Sequence, residues 1–128
     1  MSLISFADLQ TKMDDIRCGR IKEGETFGQW NLDDHFRFKS GNFNVILGHA
    51  NVGKTSVILY LMMLQSLKNN KRWLVFSSEN TPHSLVKKLS EFYLGKVLNS
   101  VDEMEMQLAL SWIQQHFILI DSDRKLYT

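Results

Sequence analysis

The chain has 128 residues, 44% of them hydrophobic, enough for one core and too few for two ordinary domains. A formal net charge of +1 leaves no whole-chain electrostatic footprint for nucleic acid or an anionic membrane, which still permits DNA contact through a few loops of an assembled ring. The lone cysteine, Cys18, excludes an intramolecular disulfide framework and fits a reducing interior.

The sequence shows neither an apolar run of membrane-spanning length nor a basic-then-apolar leader, so no membrane partner is expected and the protein reads as soluble and intracellular. From Ser5 to about Arg17 an amphipathic helix is predicted. Phe6, Leu9, Met13 and Ile16 recur three or four apart on one face, Ser5 is available as N-cap, and Asp8, Lys12, Asp14 and Asp15 take the other side. Two roles are open to its apolar stripe, packing on its own domain or docking on a neighbouring subunit. Residues 18–27 are polar and glycine-containing and read as a linker or turn. Trp30 to Phe36 has irregular apolar spacing and suggests a short helix or turn, after which Gly41 turns the chain into Phe43.

Phe43-Asn44-Val45-Ile46-Leu47 then reads as a short buried strand. It runs into Gly48, and from Thr55 to Leu67 a largely apolar helix runs out. Lys68-Asn69-Asn70-Lys71 is a polar turn. Arg72 to Ser78 is a second strand, rich in apolar and β-favouring residues as a buried parallel strand requires, and it ends in Glu79-Asn80. Thr81 is the expected N-cap of the next helix, with Pro82 at its first position and Gly95 as its stop. Asp102 opens a third long helix, with Glu105 completing a capping box. Phe117-Ile118-Leu119-Ile120-Asp121 reads as a third strand. Strands alternating with helices predict an α/β protein with a mainly parallel sheet flanked by helices.

The chemistry concentrates in Gly48-His49-Ala50-Asn51-Val52-Gly53-Lys54-Thr55, which fits the phosphate-binding loop pattern of Gly, four free positions, Gly, Lys and Ser or Thr. The glycines let successive backbone N–H groups approach phosphate oxygens, Lys54 supplies a point charge, and the Thr55 hydroxyl can serve as a magnesium ligand. The following helix, with Ser56 in its first turn, adds the positive end of its dipole. His49 flanks the phosphates and is given no chemistry of its own. Chance yields such a pattern in roughly one chain of this length in a few hundred, and the strand–turn–helix setting narrows it further. Ligands of parallel sheets sit outside the carboxyl ends of the strands. Gly48, Glu79 and Asp121 all fall at such ends, which makes Glu79 a candidate to polarise a water facing a terminal phosphate. Lys68, Lys71, Arg72 and the Lys87-Lys88 pair read as solvated faces, and His35 as a surface or packing histidine.

The run from Leu32-Asp33-Asp34 through Gly41 to Thr55 resembles the entry to the RecA-like P-loop ATPase core of DnaB-type replicative DNA helicases. Val75 to Asn80 resembles the next strand of that core, whose terminal glutamate activates the lytic water. Ser84 to Leu89 resembles the following helix, and Ile118 to Ser122 a later strand. The match runs from about Leu32 to Tyr127. With the helix and linker read over 1–27, it implies a partial RecA-like ATPase domain over 28–128. It further implies ATP and Mg2+ held by Gly48, His49, Ala50, Asn51, Val52, Gly53, Lys54, Thr55 and Ser56. Lys54 and Glu79 would be the catalytic residues, Thr55 the metal ligand and Asp121 a second candidate for the metal. The partners implied are single-stranded DNA and further copies of the chain, in a ring with ATP at subunit interfaces, in a bacterial cytoplasm or that of a phage host.

The chain departs from the family in carrying no counterpart of the DNA-contacting loops, the arginine finger or the remaining strands. An incomplete sheet is therefore expected, completed by more chain or by a partner. Phe117–Asp121 can also be aligned as the Walker B strand of a RecA-type recombinase, but the two helices before it favour the helicase alignment. Three other functions are open: a recombinase-like ATP-dependent DNA-binding protein, a nucleotide-binding fragment without turnover, and a small-molecule kinase. The kinase would need a basic lid that the sequence does not display.

Overall fold

The computed structural model of the chain describes residues 3–19 and 24–121; Ser122, Tyr127 and the rest of the expected ATPase segment beyond Asp121 lie outside the described residues. The chain divides into two compact units, Met1–Asn44 and Val45–Thr128.

In the first unit, helix α1 spans Phe6–Arg17 and starts at the expected cap. The Ser5 hydroxyl accepts the Asp8 backbone N–H at 3.2 Å and donates to the Asp8 carboxylate at 2.7 Å, so cap and first-turn acid hold each other. Arg17 pairs with Asp14 at 3.3 Å at the far end, where a cation suits the helix dipole. The apolar stripe forms as read, yet α1 buries none of its residues. Helix α2 is a single turn, Trp30–Asp33. It positions the Asp33 carboxylate to accept the backbone N–H groups of Phe27 at 2.6 Å and Gly28 at 3.1 Å. An antiparallel bridge joins Glu25 to Phe38, and the buried Phe27 ring stacks on Phe36 at 5.6 Å. Residues 24–27, part of the stretch read from sequence as a linker or turn, are therefore folded back on residues 30–38. Gly41 has φ +84°, the left-handed turn that a residue with a side chain rarely takes.

The second unit runs α3 (Lys54–Asn69), β1 (Trp73–Phe76), α4 (Pro82–Leu94), a 3-10 turn at Leu98–Ser100, α5 (Glu103–His116) and β2 (Phe117–Ile120). Helix α4 lies in the middle and packs on both α3 and α5. Its Leu85 and Leu89, four apart on one face, join Leu59 and Met63 of α3, Ile113 of α5 and Phe117 of β2 in one buried cluster. Each such side chain stabilises the fold by about 1.5–3 kcal/mol through burial. Asn70 closes α3 in the left-handed conformation at φ +53°. Its side-chain oxygen lies 2.9 Å from Nε2 of the buried His116, whose Nδ1 meets the Trp112 carbonyl at 2.9 Å. The Trp112 ring stacks on both Tyr93, at 4.8 Å, and His116, at 4.6 Å. Trp73 Nε1 donates to the Ser66 hydroxyl at 3.0 Å, which itself donates to the Lys71 carbonyl at 2.8 Å and pins the turn before β1.

Asp102 caps α5 by accepting the Glu105 N–H at 2.8 Å. The Glu105 carboxylate completes a different contact from the one a capping box predicts: it takes the Lys96 ammonium at 2.7 Å. That hydrogen bond, with the attraction behind it, raises the Lys96 pKa above its usual value.

Strands β1 and β2 are parallel, with Trp73 opposite Phe117 and Phe76 opposite Ile120. Their side chains alternate between faces. Trp73, Val75, Phe117 and Leu119 turn to the helices, whereas Leu74 (67% exposed), Phe76 (61%) and Ile118 (65%) face outward with Ile120. The unit is thus α-rich, with a two-stranded parallel sheet covered by helices on one face. One sequence expectation is corrected. Phe43–Leu47 is not a strand of this sheet: it joins no ladder, and Phe43 (92% exposed) and Leu47 (90%) are open to solvent. A strand exists only through its hydrogen-bonded neighbour, and β1 and β2 pair with each other and not with this segment.

Candidate functional site

The loop from Gly48 to Gly53 is built by two glycines that serve different needs. Gly53 adopts φ +90° as the N-cap of α3, with open space where a Cβ would stand, so its requirement is conformational. Gly48 lies outside the left-handed region, but a Cβ there would come within 3.1 Å of Lys54 Cδ and 3.2 Å of Val52 Cγ2. Its requirement is space for the lysine stem. Between them Asn51 supplies a second left-handed residue at φ +60°, which asparagine tolerates better than most. The Lys54 ammonium curls back over the loop and donates to the Gly48 carbonyl at 2.6 Å.

Helix α3 begins at Lys54 with no side-chain cap on its first turn. The first N–H groups of a helix have no partner inside it, and with the helix dipole they carry a partial positive charge. These groups border a cavity of about 310 Å3 whose walls are Ala50, Asn51, Val52, Gly53, Lys54, Thr55, Ser56, Glu79, Asn80 and Lys88. Such a volume suits the phosphate end of a nucleotide, and ligand sites begin near this size. The turn after β1 also lines this cavity, and there the Ser77 hydroxyl accepts the Asn80 N–H at 3.0 Å and so shapes the bend that carries Glu79.

No family model, curated protein or solved structure matches this chain.

The residues read from sequence are distributed unevenly about this cavity. Ala50 to Ser56 and Glu79 line it together, in one compact unit. Gly48 and His49 do not line it, and the Gly48 carbonyl accepts the Lys54 ammonium. Asp121 follows β2, level with the residue after Phe76, and is not on the cavity wall. Two lining residues, Asn80 and Lys88, were not singled out as site residues by the sequence. Lys88 was legible only as half of a basic pair, and the structure separates the two lysines: Lys87 points outward and pairs with Glu91 at 3.9 Å, whereas Lys88 enters the cavity wall. The spacing of Leu85 and Leu89 could have signalled this, because Lys88 sits beside that buried stripe.

The donor set fits a nucleotide-bound magnesium ion. Mg2+ uses one or two protein oxygens together with phosphate oxygens and water, and the cavity offers the Thr55 hydroxyl and the Glu79 carboxylate. Among the described residues there is no cluster of three or more His, Cys, Asp or Glu that would hold an ion without a phosphate.

Proposed function

We propose that the second unit binds the phosphates of ATP, with Mg2+, along Ala50–Ser56 and hydrolyses it with Glu79, as the ATPase module of a DnaB-type replicative helicase that moves on single-stranded DNA. The observation that carries this reading is the shared cavity: loop, uncapped helix start and Glu79 border one polar space. Backbone N–H groups of the loop and of α3 cradle the phosphates, and Lys54 exchanges its Gly48 carbonyl for phosphate oxygens. Magnesium, when bound with the nucleotide, neutralises phosphate charge, and Thr55 is the residue to hold it. Glu79, which lines the same cavity as the loop, orients a water toward the outermost phosphate and takes its proton.

The ring of subunits and the DNA come into this reading from the resemblance to the helicase core. The uncovered sheet face and the unpaired Phe43–Leu47 segment support it, since parallel sheets have both faces covered when complete. A second reading, a nucleotide holder without turnover of its own, is favoured by one observation: Glu79 is the single carboxylate among the cavity-lining residues.

One experiment tests both. Magnesium-ATP binding by calorimetry and phosphate release are measured for the chain and for Lys54→Ala and Glu79→Gln, with and without single-stranded DNA. Loss of charge-assisted bonds of about 1.5–3 kcal/mol each should lower ATP affinity at least tenfold in Lys54→Ala. Glu79→Gln should keep binding and lose turnover. Binding without phosphate release in the parent chain selects the holder, and unchanged ATP affinity in Lys54→Ala refutes the site.

A further inference from the structure

We infer that Lys88 is the specificity-determining residue that reads the terminal phosphate of the nucleotide and so separates triphosphate from diphosphate. The inference rests on the nucleotide reading of the cavity and adds to it a residue that the phosphate-loop pattern does not contain. Lys88 comes from α4 and lines the same cavity as the loop, Glu79 and Asn80.

Geometry directs its side chain there. Helical side chains lean toward the N-terminus of their helix, over the preceding turn. The start of α4 at Pro82 follows directly on the Glu79 bend, so the long Lys88 stem runs back toward that bend. Leu85 and Leu89, buried on either side of it in sequence, fix the rotation of α4 and hence the side on which Lys88 emerges. Among the described residues Lys88 has no ion pair, while its neighbour Lys87 is matched with Glu91 at 3.9 Å.

Electrostatics gives this lysine a task. A carboxylate facing a phosphate is repulsive, and Glu79 borders the same space as the loop. A sphere of 310 Å3 is about 8 Å across, close to one Debye length at physiological salt, so the charges of Lys54, Glu79 and Lys88 all act on a bound anion. Lys54, tethered at the loop, serves the phosphates that lie within the cradle. Lys88, on the helix that follows the Glu79 bend, is assigned the outermost phosphate of a triphosphate, where it offsets the glutamate that borders the same space. A diphosphate ends inside the cradle and does not meet it.

The test compares dissociation constants for magnesium-ATP and magnesium-ADP, measured by calorimetry on the full chain, in the parent, Lys88→Gln, Lys88→Arg and Lys87→Gln. Circular dichroism melting checks that each variant folds. The expected result is at least a tenfold loss of ATP affinity in Lys88→Gln, with ADP affinity within twofold, rescue by Lys88→Arg, and no change in Lys87→Gln. Equal weakening of ATP and ADP, or weakening of neither, overturns the inference and leaves the nucleotide reading standing. Failure of the parent chain to bind either nucleotide overturns both.

Discussion

Replacing each loop glycine by alanine separates the two demands that the loop makes on its backbone. In Gly48→Ala the new methyl would sit 3.1 Å from Lys54 Cδ, 3.2 Å from Val52 Cγ2 and 3.3 Å from Lys54 Cγ, each a few tenths of an ångström too close. Gly48 is not in the left-handed region, so the backbone itself accepts alanine, and the lost freedom of the unfolded chain favours the variant by about 0.4–1 kcal/mol. The lysine stem can yield, because its ammonium is held by a single 2.6 Å bond to the Gly48 carbonyl among the described residues. Global stability should therefore change by less than about 1 kcal/mol, while displacement of the Lys54 ammonium lowers ATP affinity roughly tenfold. Gly53→Ala meets no atom within 4 Å, but φ +90° forces strain of about 1–3 kcal/mol on any residue with a Cβ. Thermal melts and calorimetric titration of magnesium-ATP measure the pair. A Gly48→Ala variant that melts like Gly53→Ala, or that binds ATP as the parent does, would refute the assignment of steric need to one glycine and conformational need to the other.

Three further outcomes follow from the packing. Leu89 is fully buried in the cluster that α4 shares with its neighbours, so Leu89→Ala should cost about 2–5 kcal/mol in chemical denaturation, enough to unfold much of a marginal chain. Asn70→Gly suits the left-handed C-cap but strands Nε2 of buried His116, and the lost bond should outweigh the backbone relief by about 1–2 kcal/mol. The Lys96–Glu105 contact raises the lysine pKa above 10.5, so its contribution is complete below that value and is lost as pH rises through the folded-state pKa. The melting temperatures of the parent and Lys96→Gln should therefore run parallel from about pH 7 to pH 9 and converge only in stronger alkali.

Much of the second unit could be read along the chain because its signals are local. The Asp102 cap, Pro82 at the start of α4, Gly95 at its end and the apolar runs of β1 and β2 each act within a few residues. The glycine-lysine pattern likewise encodes a loop whose geometry is set by its own backbone. What could not be read depends on distant partners. Phe43–Leu47 has the composition of a strand, but composition cannot supply a neighbour, and the chain leaves the segment outside the sheet and exposed. The division of labour between Lys87 and Lys88 depends on how the leucines of α4 rotate the helix, a result of packing on α3 and α5. Arg72 to Ser78 reads as a buried strand from its unbroken apolar run, within a sheet expected to be incomplete. The structure supplies helices for one face only, and the outward Leu74, Phe76 and Ile118 are chemically indistinguishable from the inward residues between them.

The parallel pairing of β1 with β2 has a kinetic consequence. Two strands that run the same way must be joined by a long excursion, here all of α4 and α5, and two paired strands alone have little stability in water. Closing that excursion before the helices exist would sacrifice chain entropy for few contacts. The three long helices should therefore assemble early, with the ladder zipping up late, and amide hydrogens of Leu59, Leu89 and Ile113 should gain protection from exchange before those of Val75 and Leu119.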